Sequence, residues 1–398
     1  WNNLNKASAR TLLWSDLTIS PTKSDTITPV FERLKTLAAA FATPGAALKG
    51  NPALRDDIVS GLEWLNRNHY SLGRSYYDNW FPWHLAVPLN LVDIFACLHD
   101  GLDAQTRIRL YAAYASAVDF YQASAGPTYA NTGANRVWRS RIDVGLGAAL
   151  ESAPRLASGR DKLSVVLPYV TIGDGFYADG SFIQHNTHSY TGGYGLYLIS
   201  ELSAVLEAIA ATPWAVTDSN VANVFRWVDE AYAPVMFRGA IMDCTRGREI
   251  SRAGSTDHAS GHPTLTAIAR VAQFAEPAAA ARLRSRIKGQ LQSDVFRNFL
   301  NTVGLSAAGL VKPILDDPTL PAAPALTGCF VFSGMDRVVH HRGSWAYAVS
   351  LSSKRISKYE SINAENLRGW HLGDGAAYLY NGDLGHYADQ YWPTADPY

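Results

Sequence analysis

Apolar residues recur at helical spacing through most of the first 300 residues of the chain, and Gly, Pro and Asn interrupt them at short intervals. Val30, Leu34, Leu37 and Phe41 repeat every three or four positions, and a longer run of the same kind covers residues 198–209. Such spacing places the apolar side chains on one face of a helix. Ten or so helices of this kind are too many for a four-helix bundle. We therefore predict an α/α toroid, that is, an incomplete barrel of helical hairpins.

The composition changes near residue 305. Residues 311–326 contain four prolines, which is typical of a linker. Further on, segments rich in β-branched and aromatic residues alternate with Gly-containing turns, a pattern that predicts an antiparallel sheet. The predicted fold class is α+β and multidomain, with an α/α toroid over residues 1–310, a Pro-rich linker over 311–326 and the start of an antiparallel β-sandwich domain over 327–398.

Composition and charge exclude several classes of protein. The chain has 35 Lys and Arg against 35 Asp and Glu, and 47% of its residues are hydrophobic. This balance excludes a disordered chain and gives no basic surplus for nucleic-acid binding. Because no apolar run approaches about 18 residues, we expect no membrane span. The three cysteines make no CxxC pair and have no zinc-type spacing. We expect no metal site and no cofactor.

Three aromatic residues, Trp80, Phe81 and Trp83, surround a proline at the start of a predicted helix. One interpretation is a plug of the hydrophobic core. The other is a platform on which the apolar faces of sugar rings stack. The sequence alone leaves both interpretations open.

Polar residues collect in three further stretches that a purely structural helical scaffold does not require. Residues 131–136 read NTGANR, which is also compatible with a turn and a helix cap. Residues 174–194 contain two Asp-Gly turns followed by His and Tyr residues, on what we predict to be a loop leading into a helix. Residues 243–252 carry three arginines, which form either a solvated charged face or an anion clamp.

Taken together, Asn, His, Tyr and Arg are the residue types that proton abstraction next to a carboxylate requires. In a uronic acid, the hydrogen on C5 is very weakly acidic while the neighbouring carboxylate is ionised. Amide and cationic groups directed at that carboxylate disperse the charge that builds up when the proton leaves. The pair of facing carboxylates that is typical of glycoside hydrolases is not visible in these stretches. The pattern therefore favours β-elimination over hydrolysis.

The runs TGANR, DGFYADGSFIQH, YTGGYG, MDCTRGREISR and YESINAENLRGWHLGDGAAYLYNGDLGHY resemble polysaccharide lyase family 8, from about residue 79 to residue 398. That family includes hyaluronan, chondroitin AC and xanthan lyases, and the likeness is strongest to actinobacterial hyaluronate lyases. The resemblance implies an α/α toroid followed by β-sandwich domains. It also implies a secreted, extracellular and metal-free enzyme that acts on hyaluronan, and possibly chondroitin, and we expect a monomer.

The resemblance also implies a role for each matching residue. Asn135 would hydrogen-bond the uronate carboxylate, His185 would help to neutralise it, and Tyr194 would protonate the leaving oxygen. Which of His185 and Tyr194 is the base stays open. Arg248 and Arg252 would bind the anionic substrate and hold Tyr194 in place. Glu360 and Asn363 would order that network. Trp80, Phe81 and Trp83 would stack against sugar rings.

Other functions and the extent of the chain stay open at this point. A xanthan lyase of the same family, a glycoside hydrolase on a helical barrel and a non-catalytic glycan-binding module are the alternatives. The chain begins at Trp1 rather than Met and stops at Tyr398, short of the length that the family implies. We therefore expect a processed or partial chain.

Overall fold

A computed structural model describes residues 1–124, 131–385 and 387 of the chain. The chain divides into two compact units. The first consists of Trp1–Ala130 and Trp138–Lys162, and the second of Asn131–Val137 and Leu163–Tyr398. The last part of the predicted sandwich domain, at residues 386 and 388–398, lies outside the described residues.

The first unit is helical, and its helices follow the apolar spacing of the sequence. Val30, Leu34, Leu37 and Phe41 are all buried on one helix, as predicted. The helices are α1 (Thr28–Ala42), α2 (Pro52–Asn68), α3 (Val87–Leu98), α4 (Ala104–Ala123) and α6 (Ala153–Asp161), together with most of α5 (Gly133–Ala149). A π-helical turn, Pro82–Ala86, leads into α3.

The start of α2 shows how local chemistry sets a helix boundary. The side chain of Asn51 accepts a hydrogen bond from the backbone N–H of Leu54 at 3.1 Å, and Pro52 occupies the first helical position. An Asn cap satisfies one of the N–H groups that the first helical turn leaves without a partner. Proline has no N–H to satisfy at that position.

The helices of the second unit are α7 (Tyr194–Ile209), α8 (Asn223–Trp227), α9 (Asp257–Val271), α10 (Pro277–Ser293), α11 (Phe299–Thr302) and α12 (Leu305–Asp316). On α7, Leu198, Ile199, Leu202 and Val205 are buried, as the spacing predicts. Helix α7 packs against α9, and α9 packs in turn against α10 and α12.

Three antiparallel sheets complete the second unit. The first is β1 (Gly175–Phe176), β2 (Phe182–Gln184) and β3 (His188–Ser189), and the second is β4 (Met236–Phe237) and β5 (Ala240–Ile241). The third is β6 (Thr327–Phe332), β7 (Arg337–Arg342), β8 (Ala346–Ser350) and β9 (Ala376–Tyr380), paired in that order. The predicted change from helices to antiparallel sheet is therefore confirmed.

One face of the four-stranded sheet joins the helical residues of the same unit through buried polar contacts. His341 is 2.7 Å from the backbone oxygen of Pro234, and Arg337 donates to the backbone oxygen of Cys244 at 2.8 Å. Because both side chains are buried, these contacts satisfy groups that would otherwise be costly to desolvate. They fix the sheet against the residues on both sides of the β4–β5 hairpin.

The stretch predicted as a Pro-rich linker, residues 311–326, begins inside a helix. Residues 311–316 belong to α12, and Pro313 lies in its interior. An interior proline removes one backbone hydrogen bond, but Val311 and Ile314 beside it are buried and hold the helix in place. Regular structure is absent from 317–326 within the described residues. The predicted domain boundaries at 310 and 327 stay predictions.

Every helix among the described residues is too short or too polar to cross a lipid bilayer.

Two helical glycines differ sharply in the space around them. A Cβ on Gly261 of α9 would lie 2.0 Å from the backbone oxygen of Gly239, whereas a Cβ on Gly309 of α12 would meet nothing within 4 Å. We expect Gly261→Ala to lower the free energy of unfolding by about 1–3 kcal/mol through overpacking. We expect Gly309→Ala to raise it by about 0.5–1 kcal/mol through helix propensity.

Denaturant unfolding of both variants beside the parent checks this prediction, with Gly309→Ala as the matched control. A stabilising Gly261→Ala would show that α9 does not approach the β4–β5 turn this closely.

Candidate active site

His185 lies in the turn between the second and third strands of the small sheet β1–β3. The sequence predicted a loop here, but residues 175–189 form three short strands, and His185 directly follows β2 with φ 54°. Asp174 stabilises this turn, since its carboxylate accepts from the backbone N–H of Asn186 at 2.6 Å and from the Gln184 amide at 2.9 Å. A histidine held in a left-handed turn between two fixed strands has little freedom to move.

Asn135 lies in the first turn of α5, and the residue before it, Ala134, is hydrogen-bonded to the turn that carries His185. The backbone N–H of Ala134 donates to the side-chain oxygen of Gln184 at 3.2 Å, and Gln184 directly precedes His185. Gly133 has φ 48°, and a Cβ there would lie 2.1 Å from the same Gln184 oxygen. The TGANR run therefore requires its glycine for this close approach. Asn135 is buried, with 2% of its surface exposed.

Tyr194 is the first residue of α7, and its ring lies between two other rings of the site. The ring centroids of Tyr194 and His185 are 4.8 Å apart, and those of Tyr194 and Tyr190 are 4.9 Å apart. Burial raises the pKa of the Tyr194 phenol, and the charge of Arg248 offsets only part of that effect. Tyr194 is therefore a neutral phenol at pH 7, able to donate a proton.

A short 3₁₀ helix, Gly247–Ser251, positions Arg248. Gly247 has φ 56°, and a Cβ there would lie 2.1 Å from the Tyr190 ring. The Arg248 guanidinium uses its three nitrogens on different partners. Nη1 donates to Glu360 at 2.5 Å and to the Tyr190 hydroxyl at 3.1 Å, and Nη2 donates to the Tyr194 hydroxyl at 3.3 Å. Its Nε donates to Glu365 at 2.5 Å.

Glu360 lies at the centre of the network. One carboxylate oxygen is 2.5 Å from Nδ1 of His185, and the other accepts from Arg248 and from the Tyr190 hydroxyl. Burial by itself would raise the pKa of this carboxyl group. The hydrogen bond from His185 and the charge of Arg248 outweigh that effect and lower the pKa of Glu360 to about 2. Glu360 is therefore ionised at pH 7.

Arg252 completes the charged part of the site. It donates from Nε and Nη2 to the two oxygens of Glu365, at 2.6 and 3.1 Å, and its Nη1 is 3.2 Å from Glu249. Its side chain is 34% exposed, whereas that of Arg248 is 6% exposed. Of the two arginines that the sequence proposed for substrate binding, Arg252 is the one with a surface open to solvent.

Asn363 departs from the role expected of it. It is exposed, with φ 58°, and the hydrogen bonds of the described site do not include it. Asn366 orders the network instead, since its side-chain amide donates to the backbone oxygen of Glu360 at 2.9 Å and its backbone N–H donates to Ser251 at 2.9 Å. Left-handed backbone at Asn363, Ala364 and Asn366 turns the chain here, and Asn366 is buried whereas Asn363 is exposed.

Sequence reasoning missed Glu365 and Asn366 and gave Tyr190 a structural role. The sequence did carry a signal for Glu365. The run YESINAEN contains two glutamates. The two arginines of the GRxxSR pattern each require a countercharge. Tyr190 is fully buried and bonded to both Glu360 and Arg248. Its role is to support those side chains.

The aromatic stretch lies in the first unit, and its three members differ. Trp83 is 1% exposed, its ring stacks on that of Tyr70 with centroids 6.1 Å apart, and its Nε1 donates to the backbone oxygen of Tyr77 at 3.1 Å. It is therefore a core residue, and its predicted contact with sugar is wrong. Trp80 and Phe81 are half-buried, so each keeps surface that a sugar can contact.

Among residues 1–124, 131–385 and 387, no group of three or more His, Cys, Asp or Glu side chains is arranged to hold a metal ion.

Comparison with known proteins places this site in a family. The profile described as "Polysaccharide lyase family 8, N terminal alpha-helical domain" matches residues 1–289, and the one described as "Polysaccharide lyase family 8, super-sandwich domain" matches residues 327–398. The chain belongs to polysaccharide lyase family 8. It has the fold class predicted from its sequence, an α/α toroid followed by antiparallel sheet.

Individual relatives are similar over nearly the whole chain. A xanthan lyase of Bacillus sp. (strain GL1) is 43% identical over all of this chain and 42% of its own length. A hyaluronate lyase of Thermasporomyces composti is 36% identical over 98% of this chain and 50% of its own length. The chain therefore spans about half the length of these relatives. The identities do not single out hyaluronate lyases as the most similar proteins.

A solved structure gives the same result for the fold. The chondroitin AC lyase of Streptomyces coelicolor A3, in complex with chondroitin sulphate, matches with a TM-score of 0.89 at 36% identity. The match covers 97% of this chain and 53% of that one.

The low pKa of Glu360 makes the stability of the folded chain depend on pH. The ordinary pKa is 4.5 and the folded value is about 2, so folding favours the ionised form by about 3 kcal/mol. Because the pKa is depressed, this stabilisation is present above pH 4.5 and is lost as pH falls through about 2. We expect the parent to lose about 2 kcal/mol more than Glu360→Gln between pH 6 and pH 3.

Urea unfolding of both proteins at the two pH values tests this difference. Parallel losses in the two proteins would mean that Glu360 is not held as an ionised group by its neighbours.

Proposed function

We propose that this chain carries the catalytic centre of a polysaccharide lyase that cleaves hyaluronan, and also chondroitin, at the glycosidic bond to a uronic acid. The reaction is β-elimination and leaves an unsaturated uronate. The observation that carries the proposal is the contact of a neutral phenol, Tyr194, with the ring of His185, whose Nδ1 is bound to an ionised carboxylate, Glu360.

The contact with Glu360 sets the tautomer of His185. An ionised carboxylate only accepts hydrogen bonds, so Nδ1 carries the proton that it shares with Glu360. In the neutral ring, the lone pair is then on Nε2. We assign His185 as the base that removes the C5 hydrogen, because Tyr194 holds its own proton at neutral pH.

Tyr194 supplies the proton for the leaving oxygen. As the C4–O4 bond breaks, negative charge develops on O4, and the Tyr194 hydroxyl donates its proton there. The Arg248 Nη2, 3.3 Å away, stabilises the phenolate that results. The C5 proton is on His185, the C4–C5 double bond has formed, and exchange with water restores both side chains.

Asn135 and Arg252 are the groups that we assign to the uronate carboxylate. Asn135 is buried beside the turn that carries His185, and its amide can donate to a carboxylate oxygen without adding charge. Arg252 offers the open cationic surface. Dispersing charge on the substrate carboxylate lowers the barrier to proton removal at C5.

Two carboxylates of the site, Glu360 and Glu365, do not suit a glycoside hydrolase. Hydrolysis requires a carboxylic acid that is protonated at the working pH and faces a second carboxylate. The pKa of Glu360 is about 2, because His185 and Arg248 hold it ionised against the effect of burial. Glu365 is bonded to two arginines. Neither glutamate is in a position to act as a general acid.

A xanthan lyase is the second candidate, because the 43% identity with such an enzyme exceeds the 36% with a hyaluronate lyase. Mass and ultraviolet analysis of products from hyaluronan, chondroitin and xanthan separates the candidates. Since these polymers are too large to enter a cell intact, we propose that the enzyme acts outside it. Saturated products from every polymer would point to hydrolysis and contradict the proposal.

We expect Tyr194→Phe to lower kcat by about 10²- to 10⁴-fold on hyaluronan while folding is retained, because the variant has no proton to give to O4. A uronide that carries fluoride at C4 needs no such proton. On that substrate, the variant should recover to within about ten-fold of the parent. The release of unsaturated uronate, followed by ultraviolet absorbance, measures both reactions.

Tyr169→Phe is the matched control, since the Tyr169 hydroxyl is hydrogen-bonded to Glu230 at 2.7 Å and makes none of the site's contacts described above. It should retain the parent's kcat. Equal loss by Tyr194→Phe on both substrates would instead make Tyr194 the base.

A further inference from the structure

Glu365 binds both arginines of the site at once. Its Oε2 accepts from Nε of Arg248 at 2.5 Å and from Nη2 of Arg252 at 3.1 Å, and its Oε1 accepts from Nε of Arg252 at 2.6 Å. Charge-assisted hydrogen bonds of this kind are the strongest in proteins, and a paired contact also fixes direction.

The backbone around Glu365 holds the carboxylate in place. Asn363, Ala364 and Asn366 have φ values of 58°, 59° and 50°, so three of the four residues from 363 to 366 are left-handed. For a residue such as Ala364, which has a Cβ, this conformation is strained. The turn persists because Asn366 binds both Ser251 and the backbone of Glu360. Strain of this kind, held by neighbouring contacts, is concentrated at functional sites.

Glu365 and Tyr194 lie on different edges of the Arg248 guanidinium. Nε binds Glu365, Nη1 binds Glu360, and Nη2 binds the Tyr194 hydroxyl. The contact to Tyr194, at 3.3 Å, is the longest of the three. Arg248 is therefore aimed at Tyr194 by the two carboxylates that hold its other nitrogens.

Charge balance also depends on Glu365. Arg248 and Arg252 bring two positive charges, and Glu360 and Glu365 bring two negative ones. Burial raises the pKa of Glu249, which Arg252 only partly offsets, so Glu249 is a weaker source of negative charge. Without Glu365, two neighbouring guanidinium groups would share one strongly ionised carboxylate.

We propose that Glu365 is a positioning residue, whose carboxylate is shared by Arg248 and Arg252 and orients the Arg248 guanidinium against the Tyr194 hydroxyl. The proposal rests on the function proposed above for Tyr194. It concerns a loop between β8 and β9 rather than the helical residues that contact the substrate.

Kinetics of Glu365→Gln test the proposal. The amide keeps the shape but loses the charge, so we expect kcat on hyaluronan to fall by about 10- to 100-fold with KM within about three-fold of the parent. Glu365→Asp keeps the charge but is one methylene shorter, so its kcat should lie between those of the parent and Glu365→Gln. A lower KM with unchanged kcat would mean that Glu365 merely masks the arginines from substrate, and would overturn the proposal.

Glu207→Gln is the matched control. Glu207 pairs with Arg270 at 2.8 Å near the opposite end of α7 from Tyr194. Its loss should leave both kcat and KM unchanged. A fall in kcat equal to that of Glu365→Gln would show that breaking an ion pair outside the site has the same effect, and would overturn the proposal.

A measurement without turnover separates this proposal from the proposed function. In protein labelled with ¹³C at the tyrosine Cζ atoms, the Tyr194 resonance is the one lost in Tyr194→Phe. It should shift in Glu365→Gln and stay in place in Glu207→Gln. An unmoved resonance overturns the positioning role even if the parent acts on no polysaccharide, whereas an inactive parent with a shifted resonance counts against the lyase alone.

Discussion

The site depends on one carboxylate that three side chains share. Glu360 binds His185, Tyr190 and Arg248, and each of these comes from a different local structure: the turn after β2, the segment after β3 and a 3₁₀ helix. Desolvating an anion is costly unless its neighbours compensate for the lost water. Here the compensation is complete enough to hold the group ionised in the interior. The same contacts that compensate the charge of Glu360 fix the histidine tautomer and the arginine, so the contacts that permit burial also position the side chains of the site.

Much of the fold follows from features that the sequence carries locally. The apolar faces of α1 and α7 and the Asn51 cap depend on residues within a few positions of one another. Asn135, His185, Tyr194, Arg248 and Glu360 could be chosen because their motifs are distinctive, and the last four form one connected cluster. The prolines of residues 311–326 predicted a linker, but the first residues of this stretch are helical. Burial of Val311 and Ile314 stabilises the helix there, and the prolines do not indicate this.

The errors have a common physical origin. Trp83 looked like a sugar platform because an aromatic ring suits both a core and a binding surface, and its stacking on Tyr70 decides between them. Asn363 and Asn366 look equivalent in a printed sequence. Their different roles follow from left-handed backbone angles at residues 363, 364 and 366. Such angles are uncommon for residues other than glycine, so the residue types did not predict them. Glu365 was missed because the two arginines that it binds lie more than 110 residues earlier in the chain.

The position of Glu360 and Glu365 along the chain has a consequence for how the protein acquires its chemistry. During synthesis, the helical residues leave the ribosome first, carrying the histidine, the tyrosines and the arginines. Until the loop between β8 and β9 follows and folds onto them, Arg248 and Arg252 lack the carboxylates of Glu360 and Glu365. The charged cluster of the site can therefore form only after the loop between β8 and β9 has been synthesised.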